Sequence, residues 1–160
     1  GHRRSSVFST PLRPALAAED YRAAMAANRA AGGKGLSKQA FNLFPKLREV
    51  DAVMTPALEG VVFEVHPELV FAAVSGAPAG SAKRTPQGRA ERLALLAAQG
   101  LPGDLFDPHP FMRKVCAPDD LVDAGLCALA ARRIAAGVNL QLPAEDPPRD
   151  ARGLRMAIFA

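Results

Sequence analysis

The sequence predicts an α/β fold, because one short apolar segment is followed directly by a segment with helical character. Residues 61–65 read Val-Val-Phe-Glu-Val and lie between Gly60 and Pro67. A short apolar run with such boundaries is typical of a buried strand in a parallel sheet. Pro67 suits the first position of a helix. These observations predict a strand at 61–65 that runs straight into a helix at 67–74.

Two helices are predicted before this strand. The first covers residues 16–31, which are rich in alanine, and it ends at a pair of glycines. The second covers residues 38–54, with Ser37 as its N-cap and apolar residues at helical spacing. Pro45 lies inside this second segment, so a kink or a break is expected there.

Two further helices and two short strands are predicted after the first strand and its helix. Thr85 is a good N-cap, and Pro86 suits the first position of the helix that it caps. Several prolines make residues 100–117 irregular. The predicted helices cover residues 86–99 and 119–137, and the possible strands cover residues 138–142 and 154–159.

The composition is that of an ordinary globular domain. At 160 residues, with 49% hydrophobic and 22% charged residues, the chain is long enough for one domain with a substantial core. A formal net charge of +4 permits an anionic partner. The two cysteines, Cys116 and Cys127, provide neither a disulfide framework nor the spacing of a metal site. No apolar run reaches the length of a membrane span, and the first residues lack a signal-peptide core. We therefore expect a cytoplasmic protein without a membrane partner.

Glu64 is the first candidate site residue, because it lies near the carboxyl end of the predicted strand. In open α/β sheets, ligands bind at that edge. A carboxylate in a buried strand is costly unless it is paired, protonated or bound to a metal.

A second group of acids, Asp119, Asp120 and Asp123, opens the helix predicted at 119–137. Asp119 as an N-cap and Asp120 as a first-turn residue that favours the helix dipole are the simplest interpretations. Asp123 is less easily explained in this way. At helical spacing it heads a stripe that also contains Leu126, Cys127, Ala130 and Ile134.

An acid at a strand end and acids at a helix start can converge on a hard divalent cation. Mg²⁺ takes a few carboxylates and keeps waters for substrate phosphates, and two such ions can clamp a phosphodiester during in-line attack. Basic residues could then hold the nucleic-acid backbone, although each of them could equally be solvated surface charge. These residues are Lys34, Lys38, Lys83, Arg84, Arg89 and Arg92.

Several strings in this order resemble one known family. They are RRSSVF (3–8), GKGLSKQAF (33–41), K-x-REVD (46–51), FEVHPE (63–68), K-x-TPQGRAERL (83–93), PDDLVDA (118–124) and RDARGLRM (149–156). Together they resemble the bacterial and archaeal family of predicted nucleases with an RNase H-like fold, a domain-of-unknown-function family numbered four-two-nine. The similarity extends over essentially the whole chain.

The resemblance implies a mixed sheet flanked by helices and an acidic site that binds Mg²⁺ or Mn²⁺. Glu64 matches the acid of the FEVHPE motif, and Asp120 and Asp123 match the acids of the late helix. These three are therefore the expected catalytic residues and metal ligands, with Asp123 favoured as the last ligand. Glu68 and His66 also belong to the motif, where a first-turn dipole partner and a hydrogen bond at the helix entry are the alternative roles.

The chain departs from the family pattern in two places. Family members begin with antiparallel strands, the first of which carries the leading metal-binding aspartate, and we find no such strands here. Ala157 stands where many relatives carry an acid. We therefore expect an incomplete RNase H-like fold, with residues 1–160 as the C-terminal part of one domain. Such a fold would expose sheet edges. We therefore expect either a homo-oligomer that covers these edges or an N-terminal segment that is missing from this chain.

Three functions are consistent with these features. The first is a metal-dependent nuclease, whose site is incomplete in this chain. The second is a non-catalytic nucleic-acid-binding or scaffolding member of the same fold. The third, phosphoryl transfer of the actin-like ATPase type, needs glycine-rich phosphate loops after strands. The only candidate loop, at 32–35, follows a helix and ranks last.

Overall fold

A computed structural model of the chain describes residues 9–107 and 115–160. The RRSSVF motif at 3–8 and part of the irregular segment predicted at 100–117 lie outside these residues. The chain forms two compact units, residues 1–55 and residues 56–160. The described part is mostly helical, with one small two-stranded antiparallel sheet. The assignment of the whole chain to one domain stays a prediction.

The first unit contains four helices, α1 to α4. They are α1 (Arg13–Leu16), α2 (Tyr21–Ala30), α3 (Lys38–Asn42) and α4 (Phe44–Val53). The single helix predicted at 16–31 is wrong at its start, because the Asp20 side chain accepts from the N–H of Ala23 and begins a new helix there. The cap at Ser37 is confirmed, since its hydroxyl accepts from the N–H of Ala40 at 3.0 Å.

The break predicted at Pro45 is confirmed. α3 ends at Asn42, α4 begins at Phe44, and Pro45 lies in the first turn of α4. There a proline costs no intrahelical hydrogen bond. A small core of Ala15, Ala24, Leu36 and Phe44 holds the four helices together.

The second unit is built on three longer helices and the small sheet. The helices are α5 (Pro67–Ser75), α6 (Pro86–Ala98) and α7 (Pro118–Ala135), with short 3-10 helices at Pro56–Leu58 and Gly103–Phe106. The strands are β1 (Gln141–Leu142) and β2 (Ile158–Phe159), which pair antiparallel with Gln141 opposite Phe159. The predicted cap of α6 is confirmed, because the Thr85 hydroxyl accepts from the N–H of Gly88 at 3.0 Å.

The strand predicted at 61–65 is wrong as a buried strand. Val61 keeps 76% of its surface exposed, and Val62 keeps 45%. Their N–H groups both donate to the carbonyl of Leu58, so this part of the chain is a turn. Only Val65 takes part in sheet pairing, as an isolated parallel bridge to Phe159 of β2. The possible strands at 138–142 and 154–159 likewise shorten to β1 and β2.

The core of the second unit lies between α5, α6 and α7. The buried positions of α7 are Val122, Gly125, Leu126, Leu129 and Ala130. Two members of the stripe expected to begin at Asp123 are therefore confirmed as buried, Leu126 and Ala130, and Asp123 lies at the margin of the buried face. In the described residues, none of the helices is both long and apolar enough to cross a membrane.

Candidate active site

The first two turns of α7 hold the three candidate aspartates, and the structure separates their roles. The helix begins at Pro118, so Ala117 occupies the N-cap position and the prediction of Asp119 as N-cap is wrong. Asp120 instead accepts from the N–H of Ala117 at 3.0 Å. This bond is the reciprocal half of a capping box. Asp119 and Asp123 are therefore the two acids of this group that do not cap the helix.

Asp119 and Asp123 both face one cation, the ammonium group of Lys83. Lys83 Nζ lies 2.6 Å from Asp123 Oδ2 and 3.6 Å from Asp119 Oδ2. The two carboxylates are four residues apart, which places them one turn apart on the same side of the helix. Their side chains are 22% and 24% exposed, so water still reaches them. We call these three residues the acid–lysine cluster.

The aspartates determine the charge state of Lys83. Burial acts to lower the pKa of its ammonium group, but the hydrogen bond and charge of Asp123 and the charges of Asp119 and Asp120 raise the pKa above its ordinary value overall. Lys83 therefore remains charged, and it acts as the resident cation between two carboxylates.

The loop that carries Lys83 is fixed against α6. The Ser81 hydroxyl and N–H donate to the Glu91 carboxylate at 2.7 and 3.1 Å, and these hydrogen bonds lower the pKa of Glu91. Gly88 allows the loop to approach the helix closely, because a Cβ there would lie 2.0 Å from the carbonyl oxygen of Ala82. The acid–lysine cluster therefore rests on close contact between the loop and α6.

A buried ion pair joins the FEVHPE motif to the TPQGRAERL motif. Arg92 is 1% exposed, and its Nη2 donates to both carboxylate oxygens of Glu68 at 2.6 and 2.8 Å. Its Nη1 donates to the carbonyl of Gly88 at 2.6 Å. Sequence reasoning gave Glu68 only a helix-dipole or motif role. It placed Arg92 among the basic residues that could hold a nucleic-acid backbone, which is wrong because the Arg92 side chain is buried. The available signal was the spacing of Gly88, Arg92 and Leu96, which places an arginine on the apolar stripe of α6.

The basic residues expected to hold nucleic acid divide between the two units. In the second unit, Arg84 Nε lies 3.8 Å from Asp119 on a largely exposed side chain. Arg89 donates to the carbonyl of Phe106 at 2.8 Å, and Lys83 belongs to the acid–lysine cluster. Lys34 and Lys38 lie in the first unit, where both are exposed.

Glu64 lies just before the bridge between Val65 and Phe159. Its carbonyl accepts from the N–H of Phe159 at 2.8 Å. The residue keeps an exposed surface, yet the protein atoms around its carboxyl raise the pKa of that group, while the charge of His66 acts to lower it. Within residues 9–107 and 115–160, no group of three or more His, Cys, Asp or Glu side chains could hold a metal ion. The ligand set of Glu64, Asp120 and Asp123 stays a prediction.

The raised pKa of Glu64 predicts a pH-dependent difference in stability. The folded chain holds this proton more tightly than the unfolded chain, so the contribution is fully present below pH 4.5 and is lost as the pH rises through the folded-state pKa. Glu64→Gln should therefore be more stable than the wild type at neutral pH and equal to it at acidic pH. Urea unfolding across pH in EDTA measures this, with exposed Glu145→Gln as the control. Identical pH profiles for the Glu64 variant and the wild type would contradict it.

Two arginines of the RDARGLRM motif contact the carboxylate of Glu59. The N–H of Arg155 donates to the Glu59 carboxylate, and Arg149 Nη1 lies 3.2 and 3.3 Å from its two oxygens. These contacts lower the pKa of Glu59, with the bond from the Arg155 backbone as the largest cause. The motif therefore fixes the turn that leads into β2.

A comparison with known protein families finds a match over most of the chain. The model of a family described as "Protein of unknown function (DUF429)" matches residues 1–148. No curated protein and no solved structure matches the chain.

Proposed function

The chain belongs to the DUF429 family, and from that membership and the acid–lysine cluster we propose a metal-dependent nuclease of RNase H-like fold. The observation that carries the proposal is the convergence of Asp119 and Asp123 on one cation, Lys83 Nζ, at 3.6 and 2.6 Å. A pair of carboxylates that already holds a positive charge between them is chemically suited to a divalent cation. Mg²⁺ in particular is bound through one or two carboxylates and several waters.

Asp123 and Asp119 would hold the Mg²⁺ or Mn²⁺ ion in place of the Lys83 ammonium. When bound, the metal supplies Lewis-acid chemistry, which activates water and stabilises the leaving oxygen of a phosphodiester. Glu64 is proposed as a further carboxylate on the basis of its motif. Asp120 acts indirectly, since its bond to the Ala117 N–H fixes the helix turn that presents the two ligands.

Lys83 and Arg84 would meet the substrate phosphate once the metal occupies the carboxylates. With Asp119 and Asp123 holding a metal, the Lys83 ammonium would be free to contact a phosphate, and the Arg84 side chain is already 86% exposed beside Asp119. Both lie on the loop held against α6, so their charges stay near the site. Positive side chains placed in this way neutralise the charge that develops on a phosphodiester.

A non-catalytic member of the same fold is the second candidate, and it is supported by the same contact. A 2.6 Å bond between Lys83 and Asp123 fixes the loop to α7, which is what a purely structural ion pair would do. On this alternative the acids serve the fold, and the chain binds nucleic acid or a partner protein without cleaving it.

A cleavage assay separates the two candidates. The full chain is incubated with labelled RNA, DNA, hybrid and branched substrates, with Mn²⁺ or with EDTA, beside Asp123→Asn. The proposal predicts metal-dependent cleavage that Asp123→Asn lowers by about a hundredfold or more, since outer-shell changes alone cost up to that much. Glu145→Gln, a change at an exposed acid, should cleave like the wild type. Equal cleavage by Asp123→Asn would contradict the metal site, and a folded chain that cleaves nothing would favour the second candidate.

A further inference from the structure

The positive charge of the chain is concentrated in its first unit. Residues 1–55 contain nine basic and four acidic residues, a net charge of +5, whereas residues 56–160 contain eleven basic and twelve acidic residues, a net charge of −1. The two values together give the +4 of the whole chain. A surface that attracts a polyanion is therefore expected on the first unit.

Most of the described basic side chains of the first unit also lack an ion-pair or hydrogen-bond partner among the described residues. Arg13 pairs with Asp51, and Arg48 donates to the carbonyls of Leu16 and Ala18. Five others are exposed and make no ion pair or side-chain hydrogen bond with the residues that the structure describes. Lys46 lies on α4, whereas the other four lie in α2, in α3 or in the loop between them. We call these four the basic surface: Arg22, Arg29, Lys34 and Lys38.

Two of these residues lie on one face of α2. Arg22 and Arg29 are seven residues apart, which returns the helix to nearly the same direction after about 10 Å of rise. Charges on one strand of a duplex follow each other at about 3.4 Å along the axis. The rise of α2 between Arg22 and Arg29 thus corresponds to about three nucleotides of one strand.

The loop that bears Lys34 is fixed to the same helix. Asn28 is fully buried, and its Nδ2 donates to the carbonyl of Lys34 at 2.6 Å. The N–H of Gly33 donates to the Asn28 carbonyl at 2.8 Å, and the Tyr21 hydroxyl donates to the carbonyl of Leu36 at 2.7 Å. The backbone that carries Lys34 is therefore already ordered, which lowers the entropy cost of binding.

We propose that the basic surface binds the phosphate backbone of nucleic acid, independently of sequence and of any metal. The proposal deepens the proposed function by naming the element that holds the polymer, and it rests on that function for the choice of nucleic acid. A helix that binds an anionic membrane inserts large apolar side chains. The exposed positions of α2 are alanines and charged residues, with no exposed large hydrophobic side chain among them.

Salt-dependent binding tests the proposal. Fluorescence anisotropy of labelled duplex DNA and RNA is measured with the full chain in EDTA at increasing salt. About four phosphate contacts predict a slope of roughly −3.6 in log K against log salt for duplex DNA. Lys34→Gln with Lys38→Gln should make that slope smaller by about two and weaken binding about tenfold at moderate salt.

The control variant carries the same change of charge in the second unit, Arg132→Gln with Arg152→Gln, and should bind like the wild type. Because binding is measured in EDTA, it does not depend on the metal site, so a failure of the metal site and a failure of the basic surface are distinguishable. An unchanged slope in the lysine variant, or an equal loss in the control, would overturn the proposal. So would tighter binding to vesicles of anionic phospholipid than to either nucleic acid.

Discussion

Replacing Glu68 by alanine is expected to lower the free energy of unfolding by about 3 kcal/mol, because the change leaves a buried charge without its partner. Arg92 is 1% exposed and donates to both oxygens of Glu68. Its bond to the Gly88 carbonyl would remain, but its Nε already has no hydrogen-bond partner among the described atoms. The guanidinium would lose its counter-charge and two of its hydrogen bonds at once.

A double-mutant cycle isolates this pair. Glu68→Ala, Arg92→Met and the double variant are unfolded in urea, with exposed Glu145→Ala as the control. We expect the double variant to be less destabilised than the sum of the single changes, since it no longer buries an unpaired charge. A Glu68→Ala variant as stable as the Glu145→Ala control would show that the ion pair does not hold α5 against α6.

Replacing Gly88 by alanine is expected to destabilise the chain by about 3 kcal/mol, the upper part of the range for overpacking. A Cβ at this position would lie 2.0 Å from the Ala82 carbonyl oxygen and 3.0 Å from that of Ser81. Both obstacles are backbone atoms, so relief requires the loop to move away from α6. That movement would carry Lys83 away from Asp123, so the site should be weakened together with the fold.

Gly60→Ala is the matched control for the Gly88 variant. No atom lies within 4 Å of where its Cβ would be, so a change within about 0.5 kcal/mol is expected. Urea unfolding of both variants measures the stability difference, and Mn²⁺ binding by the Gly88 variant reports on the site. If the two alanine variants are equally stable, then close contact between the loop and α6 does not matter for the fold.

The parts of the fold that could be predicted from sequence are those set by local signals. The caps at Ser37 and Thr85 and the break at Pro45 each depend on a hydrogen bond or a missing N–H within one turn. The predicted start of α7 was wrong by one residue, because the helix begins at Pro118 and not at Asp119. Ala117, and not Asp119, therefore occupies the N-cap position. The backbone geometry, rather than the residue type, determines which residue is the N-cap.

Whether residues 61–65 form a strand could not be predicted from these residues alone. Its alternation of apolar side chains is typical of a strand, but strand pairing depends on distant partners. Among the residues that the structure describes, only Phe159 provides one, while the Leu58 carbonyl accepts from two N–H groups in a turn. Gly125 was missed on the buried face of α7 for a similar reason, because it is the ring of Phe106, distant in sequence, that packs where Gly125 leaves space. Glycine is not counted in an apolar stripe.

The acids of the site could be found in the sequence, but their partners could not. Asp119 and Asp123 were candidates because of their place in the first turns of α7. Lys83 was assigned to a phosphate backbone, whereas in the structure it is forty residues from Asp123 along the chain and bonded to it. A contact over that separation depends on how α6 and α7 pack, which no local pattern contains.

Mn²⁺ binding to the wild type, Asp123→Asn and Lys83→Met tests the central claim most directly, with Arg132→Gln as the control for loss of one positive charge. Isothermal titration calorimetry measures each affinity. If Asp119 and Asp123 hold the metal in place of the Lys83 ammonium, Lys83→Met should bind Mn²⁺ more tightly than the wild type and the Arg132 control. Asp123→Asn should then bind it not at all. Equal affinity in the wild type and Asp123→Asn, or weaker binding by Lys83→Met, would contradict the account.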